Sequence, residues 1–498
     1  MKRRTSTTLR RAKARAKQRR RRQRIERRTI RWAHRLELTT GITGLIDSVG
    51  APLLRLLAEQ TGLRPGLSTA VARLRPDFLP GHDRGQVLTD MAVALALGAV
   101  SVGGAVRTLA ASRAVLDTVA STPTMWRAIT EIDDRALEAI TTARARQRRR
   151  VWGHLSRRPE GFPWVEVAGR VWEGWIVLDV DASLVETHSD KQGSAPTYKK
   201  HIFGLHPLLV GCANTGEHLV SRLRPGNAGS NTVADHVEVL TAAVAQIPAR
   251  YRKKIIFRAD GAGATKDLLA WIKAEAGRHG YIWHYSVGFD LTEPVRQAIV
   301  KVPTRVWVPA LTPDDRIRRG AHVTEITGLL TLPDGWPEDM RLMARIEPLH
   351  PKHRKQASDI ECQRGQRFQV TATDVPGHHY PKLDAFHRNH AGIESIIKQG
   401  KDLGLRRMPG YAFAFNQAWC TLVAIAADLL SWLRLLALDH HEQLRKATAA
   451  TLRALILNVP ARIVHHARKR ILRLDDQHPH QADLTLAWAK IQTLATPP

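Results

Sequence analysis

Between residues 175 and 289 short β-forming runs alternate with helical ones, and two of those runs stop on an acid. Trp175, Ile176, Val177, Leu178 and Val180 make a run that suits a strand buried on both faces. Asp179 and Asp181 then project from one face, because strand side chains alternate with a period of two. Carboxylates at a buried strand end need a cation, a donor network or solvent. Strand-end solvation with an Asx turn is the plain reading. A metal site is the alternative, and it requires ligands from elsewhere in the chain.

Downstream, the pattern predicts a second strand near Lys200–Leu205 and a third at Leu208–Ala213 or His218–Leu223. A glycine-rich turn, "RPGNAGSN", leads into the helix "TVADHVEVLTAAVAQI". A fourth strand covers Lys253–Asp260, the helix "ATKDLLAWIKAEAG" follows, and "YIWHYSVG" is a fifth strand. This order predicts a mixed α/β core. The fourth run ends at Asp260 as the first ends at Asp181. "GAGAT" after it permits a tight turn but lacks the Gly-Lys-Ser/Thr of a phosphate-binding loop.

At 498 residues the chain can bury two or three cores. Lys+Arg number 76 against 46 Asp+Glu, a net charge of +30 that attracts polyanions, nucleic acid first. Residues 1–35 hold 17 Lys/Arg against Glu26 alone, and the remainder is still basic. Three cysteines with no CxxC pair fit a reducing compartment without structural zinc. The doublets His378-His379, His440-His441 and His465-His466 read as loop or helix-surface residues. Met91–Val106 is apolar but only 16 residues long, too short for a bilayer. Asp428 and Arg434 interrupt Ala418–Leu438, which fits a buried amphipathic helix, and the basic N-terminus has no apolar core of a secretory signal.

Composition and punctuation divide the chain into a basic arm (1–36), a helical region (37–165) and an α/β core (166–302). A β-rich segment (303–380), further core helices (381–438) and a helical tail (439–498) follow. A third acid, Glu394, lies in "HRNHAGIESIIKQGKDLGLRR". On one continuous helix, His387, Glu394 and Lys401 would fall nearly in line, with His390 beside them and an apolar strip of Phe386, Ile393 and Ile397. An ordinary salt-bridged face, with Glu394 and Lys398 as an i,i+4 pair, explains the same residues.

The pieces "GHDRGQVLTDMAVALALG", "STPTMWR", "LDVDAS", "GLHPLLVGCANTGEHLVSRLRPGN", "RADGAG", the Glu394 segment and "VPARIV" stand in a specific order. Together they resemble the DDE transposases of bacterial insertion sequences, of DDE-domain group 1 and insertion-sequence 1380 type. The resemblance implies an RNase H-like core with an insertion before its last helix. It implies Asp181, Asp260 and Glu394 as the acid triad, because Ala182-Ser183 follows Asp181 as the family pattern requires; Asp179 would stand behind the ligands. It further implies two Mg²⁺ or Mn²⁺ ions, DNA ends and target duplex as partners, a homodimer in the active complex, and a cytoplasmic, nucleoid-associated setting. The helical region 37–165 would read the DNA ends. The related spacing Tyr-x2-Arg-x3-Glu-x6-Lys is kept, with Lys401 last, but His387 and His390 replace Tyr and Arg. Lys401, Lys398, His390 and Arg388 are then the candidates for phosphate contact. A stand-alone nuclease and a non-catalytic domesticated DNA-binding relative are the alternatives.

Overall fold

Five β-forming runs become strands of one sheet: β1 (Ile176–Ala182), β2 (Leu208–Cys212), β3 (Glu217–Arg222), β4 (Lys254–Ala259) and β5 (Ile282–Phe289). The computed structural model describes residues 12–21, 40–41, 43–72, 80–116, 118–199, 201–467 and 469–494. Residues 1–45 and 46–498 form two separate units. Of the basic arm, the described stretch 12–21 is helical and the rest lies outside the described residues.

Four more strands, β6 (Val308–Leu311), β7 (Ile317–Glu325), β8 (Arg341–Pro348) and β9 (Gln366–Thr373), complete a nine-stranded sheet. Its order is β6-β7-β8-β9-β5-β4-β1-β2-β3. β4 runs parallel to both β1 and β5, and the other pairs are antiparallel. The helices used below are α1 (Arg84–Ala96), α2 (Asp134–Ser156), α3 (Val233–Gln246), α4 (Lys266–His279), α5 (Tyr380–Arg388), α6 (Gly392–Gly400) and α7 (Phe413–Leu436). α3 and α4 are the crossovers that parallel neighbours demand. The architecture is therefore mixed α/β, as its element order predicts.

Both candidates for the third strand form, as β2 and β3. Phe203–Leu205 instead joins Val185–Glu186 and Ala195–Pro196 in a small separate sheet. The 303–380 segment is β-rich, yet its strands extend the main sheet from the edge of β5 rather than standing apart. The C-terminal region departs from the helical expectation. Ala461–His466 and Lys469–Arg473 form an antiparallel hairpin with Ile463 opposite Leu472, and the helix Gln481–Gln492 follows it. β-branched and apolar residues recur in both segments, as strands favour.

The predicted single helix through His387, Glu394 and Lys401 is also corrected. α5 ends at Arg388, Asn389–Ala391 form a 3-10 turn, and α6 begins at Gly392. The cause is packing against two different cores. Leu383 and Phe386 of α5 bury with Trp172, Val177 and Ile256, whereas Ile393, Ile396 and Ile397 of α6 join the main core. No straight helix presents both strips, so the chain turns between them.

α7 is long and apolar enough to cross a membrane, but 83% of its most apolar window is buried inside the protein. Asp428 within it is fully buried and paired. Arg144 and Arg148 of α2 reach its two oxygens at 2.8 and 2.6 Å. Arg148 also binds Glu217 at 2.8 Å, and the Trp152 and Trp432 indoles donate to the same carboxylate, each at 2.7 Å. This knot ties α2, α7 and β3 together with its charges neutralised in pairs, which buried charge requires.

Candidate active site

The parallel register places Ala259 opposite Val180, so Asp260, the first residue past β4, comes beside Asp181, which is still paired with Leu209 of β2. Asp260 caps the 3-10 turn Gly261–Gly263 and accepts from the Ala262 N–H at 3.0 Å. The Asx turn that the plain reading gives to the end of the first strand is found at the end of β4, at Asp260. Asp181 accepts from the Ala182 N–H at 2.7 Å.

Glu394 arrives on α6, whose Ile393 and Ile396 lie over Gly211 of β2. A Cβ at Gly211 would come within 2.4 Å of Ile396 Cδ1 and 3.1 Å of Ile393 Cδ1. Glycine is what lets the helix sit this close to the sheet. Among the described residues, none of Asp181, Asp260 and Glu394 forms an ion pair, although the chain carries 76 Lys and Arg. Burial pushes the Asp181 carboxyl up to about 6, and the charge of Asp260, then that of Glu394, adds to the rise. The anions repel one another, and a cation would relieve that repulsion.

Asp260 lies between two cavities. It shares one of about 800 Å³ with Asp181, Tyr198 and His236, and one of about 530 Å³ with Glu394 and His390. Asp290 lines both. That fourth acid follows the end of β5 as Asp260 follows β4, and the same strand-into-acid pattern could have found it in the sequence. Oxygen donors of this kind suit hard divalent cations. Asp181 and Glu394 thus open on neighbouring cavities that meet at Asp260 and Asp290; among the described residues, the group with ligand atoms all within 4.8 Å of one another is His441, His480 and Asp483.

Asp179 spends its charge inside the protein. It forms a bidentate pair with Arg258 at 2.7 and 2.9 Å, and Arg258 also donates to the Phe386 carbonyl at 2.6 Å. Burial works against the Asp179 charge, but Arg258 and His390 outweigh it and hold the carboxyl below its ordinary range. His390 Nδ1 lies 3.0 Å from Asp179 Oδ1. Asp179 therefore stands behind the cleft and positions His390.

Of the candidate phosphate contacts, His390 and Arg388 line the cavity of Asp260 and Glu394. Lys401 is half-buried, and its pKa is lowered by burial and by Arg406 and Lys199, with Asp181 pulling the other way. It stands near Asp181. Lys398 opens on a different cavity with Asp402 and Arg434. Arg388 is held by Asp384 at 2.8 Å and by the Leu311 carbonyl. His387 bonds Ser286 at 3.0 Å, and burial drives its pKa down to about 3. It is partly buried and lines the same cavity as Glu394 and His390.

A family model, "Transposase DDE domain group 1", matches residues 43–496. Comparison with curated protein sequences gives no match. Among solved structures, the chain is similar to the piggyBac transposase synaptic complex with hairpin DNA, determined by cryo-EM. The identity is 9% and the TM-score 0.35, with 79% of this chain and 81% of that one covered; a likeness this slight carries no argument. The family match spans nearly the whole chain, and by it this protein belongs to the group 1 DDE transposases.

Proposed function

We propose that the chain cleaves DNA at the ends of an insertion sequence and joins the freed ends to target DNA. The observation that carries this reading is the approach of three acids without ion pairs, Asp181 and Asp260 lining one cavity and Asp260 and Glu394 the next, in a group 1 DDE transposase chain. The order β3-β2-β1-β4-β5, with β4 parallel to its neighbours, supports an RNase H-like core. Asp181, Asp260 and Glu394 would hold Mg²⁺ or Mn²⁺, two ions in all, with Asp290 close by. Bound there, the ions supply activation of the attacking oxygen and stabilisation of the leaving one in an in-line displacement.

The protein's own residues position the reactants. Asp181 and Asp260, fixed at the ends of paired strands, set the acids in register, and α6 brings Glu394 against them. Lys401 grips a phosphate beside the scissile one, and His390 faces the same cleft. Water first breaks the phosphodiester and frees a 3′-OH at the element's end. That hydroxyl then attacks a target phosphodiester, and one P–O bond forms as another breaks. A homodimer on paired DNA ends fits the need to process two ends together.

The test is cleavage and strand transfer on end duplexes with Asp181→Asn, Asp260→Asn and Glu394→Gln. Each change removes ligand charge with little change of shape. Each should lower the rate by several kcal/mol of barrier, on the order of a thousandfold or more, while end binding persists. Hydrolysis without any strand transfer by the unmodified protein would point to a nuclease instead. Full activity in a chelator would sink the metal mechanism.

A further inference from the structure

His390 is more completely held than a surface histidine and less completely satisfied than a core one. Its side chain is 13% exposed, and Nδ1 is fixed by Asp179, which Arg258 fixes in turn. Its other nitrogen, Nε2, is buried and has no hydrogen-bond partner among the described residues. Buried polar atoms are nearly always satisfied, so an orphan calls for an explanation. The ring lies in the wall of the cavity that also holds Asp260 and Glu394, one turn before Glu394 in the chain.

The geometry points to His390 Nε2 as a nitrogen ligand for a divalent cation in the acid cleft, set in place by Asp179. This rests on the reading of the three acids as a cation site. A carboxylate at Nδ1 accepts the ring N–H, so the neutral imidazole presents a lone pair at Nε2. A carboxylate behind a histidine is how proteins orient imidazole ligands and raise their basicity. A lone pair attracts a cation and repels a phosphate oxygen, so this role replaces phosphate gripping at His390. Imidazole suits transition ions better than Mg²⁺, which favours oxygen. The site is thereby biased toward Mn²⁺.

The experiment reads metal binding rather than turnover. Pulsed electron paramagnetic resonance on the full chain with Mn²⁺ should show a nitrogen nucleus coupled to the ion. In His390→Ala that coupling should vanish and Mn²⁺ affinity fall at least about tenfold, with Mg²⁺ affinity changed far less. The Asp179–Arg258 pair survives this change, and His390→Gln provides a second, shape-retaining variant. Absence of nitrogen coupling in the unmodified protein overturns the inference without needing any variant. Coupling that persists in His390→Ala also overturns it and assigns the nitrogen to another ring, such as His236. An unchanged Mn²⁺ affinity together with a weaker dependence of DNA binding on salt makes His390 a phosphate contact and overturns it too. Mn²⁺ binding lost in Asp260→Asn but kept in His390→Ala rejects the nitrogen ligand and leaves the acid triad standing. Failure of Mn²⁺ to bind the unmodified protein rejects both.

Discussion

Asp181 and Asp179 sit two residues apart on one strand, yet their surroundings give them opposite tasks. Asp179 is matched by a guanidinium and stays charged, so it contributes to the fold. Asp181 faces other acids, and its carboxyl rises from 3.8 to about 6. Between those values the folded chain keeps a proton that the unfolded chain releases. This contribution therefore favours folding at low pH and fades as pH climbs from about 4 to 6. At neutral pH without metal, Asp181→Asn should melt higher than the unmodified protein, by about 1–3 kcal/mol. Added Mn²⁺ should reverse that order, because only the unmodified protein gains the full binding energy. Calorimetric melting in chelator and in Mn²⁺ checks both halves. Asp179→Asn should do the reverse, losing about 3–5 kcal/mol as buried Arg258 is left unpaired. If Asp179→Asn melts normally but loses all metal binding, the assignments of the two aspartates are exchanged. The sequence made this pair visible through the period-two alternation, but it could not show Arg258 across the sheet. Which acid faces the cleft is a matter of pairing, and pairing is long-range.

Elements differ in how openly the sequence announced them. β1, β4 and β5, and the crossover helices α3 and α4, were legible because each run is long, regular and bounded by turn residues. The break at Asn389–Ala391 was not, since the residues on both sides keep helical spacing and only the two cores they serve differ. The hairpin of Ala461–His466 and Lys469–Arg473 was hidden because His465-His466 reads as loop or helix surface. Gly211 shows the cost of such close packing between elements. Gly211→Ala would press a methyl group against Ile396 Cδ1 and lift α6, carrying Glu394 away from the aspartates. The expected loss is about 1–3 kcal/mol of stability, with cleavage falling more steeply than stability explains. Ile396→Val removes the offending Cδ1, so the double variant should recover much of both. Thermal melts and cleavage rates across the four-member cycle measure the coupling. Additive effects would mean that the helix does not depend on this contact.

At the scale of the whole molecule, charge and chemistry are divided between parts. The 17 Lys/Arg of residues 1–35 belong to a unit separate from residues 46–498, which hold the sheet and the acids. Each phosphate that a basic side chain neutralises adds roughly 0.9 to the slope of log affinity against log salt on duplex DNA. Not every arm residue meets a phosphate, so deletion should flatten the slope by several units rather than by the full count. Preference for the element's ends over random duplex should survive, because reading base edges takes ordered side chains. We place these in the helical region of 37–165. Glu394→Gln should give the opposite result, sparing the salt slope while ending catalysis. Binding of full-length and arm-deleted protein to end and random duplexes across a salt series separates the two. An unchanged slope would show that the arm does not engage the backbone. End preference lost along with the arm would move sequence reading out of the helical region and into the first 36 residues.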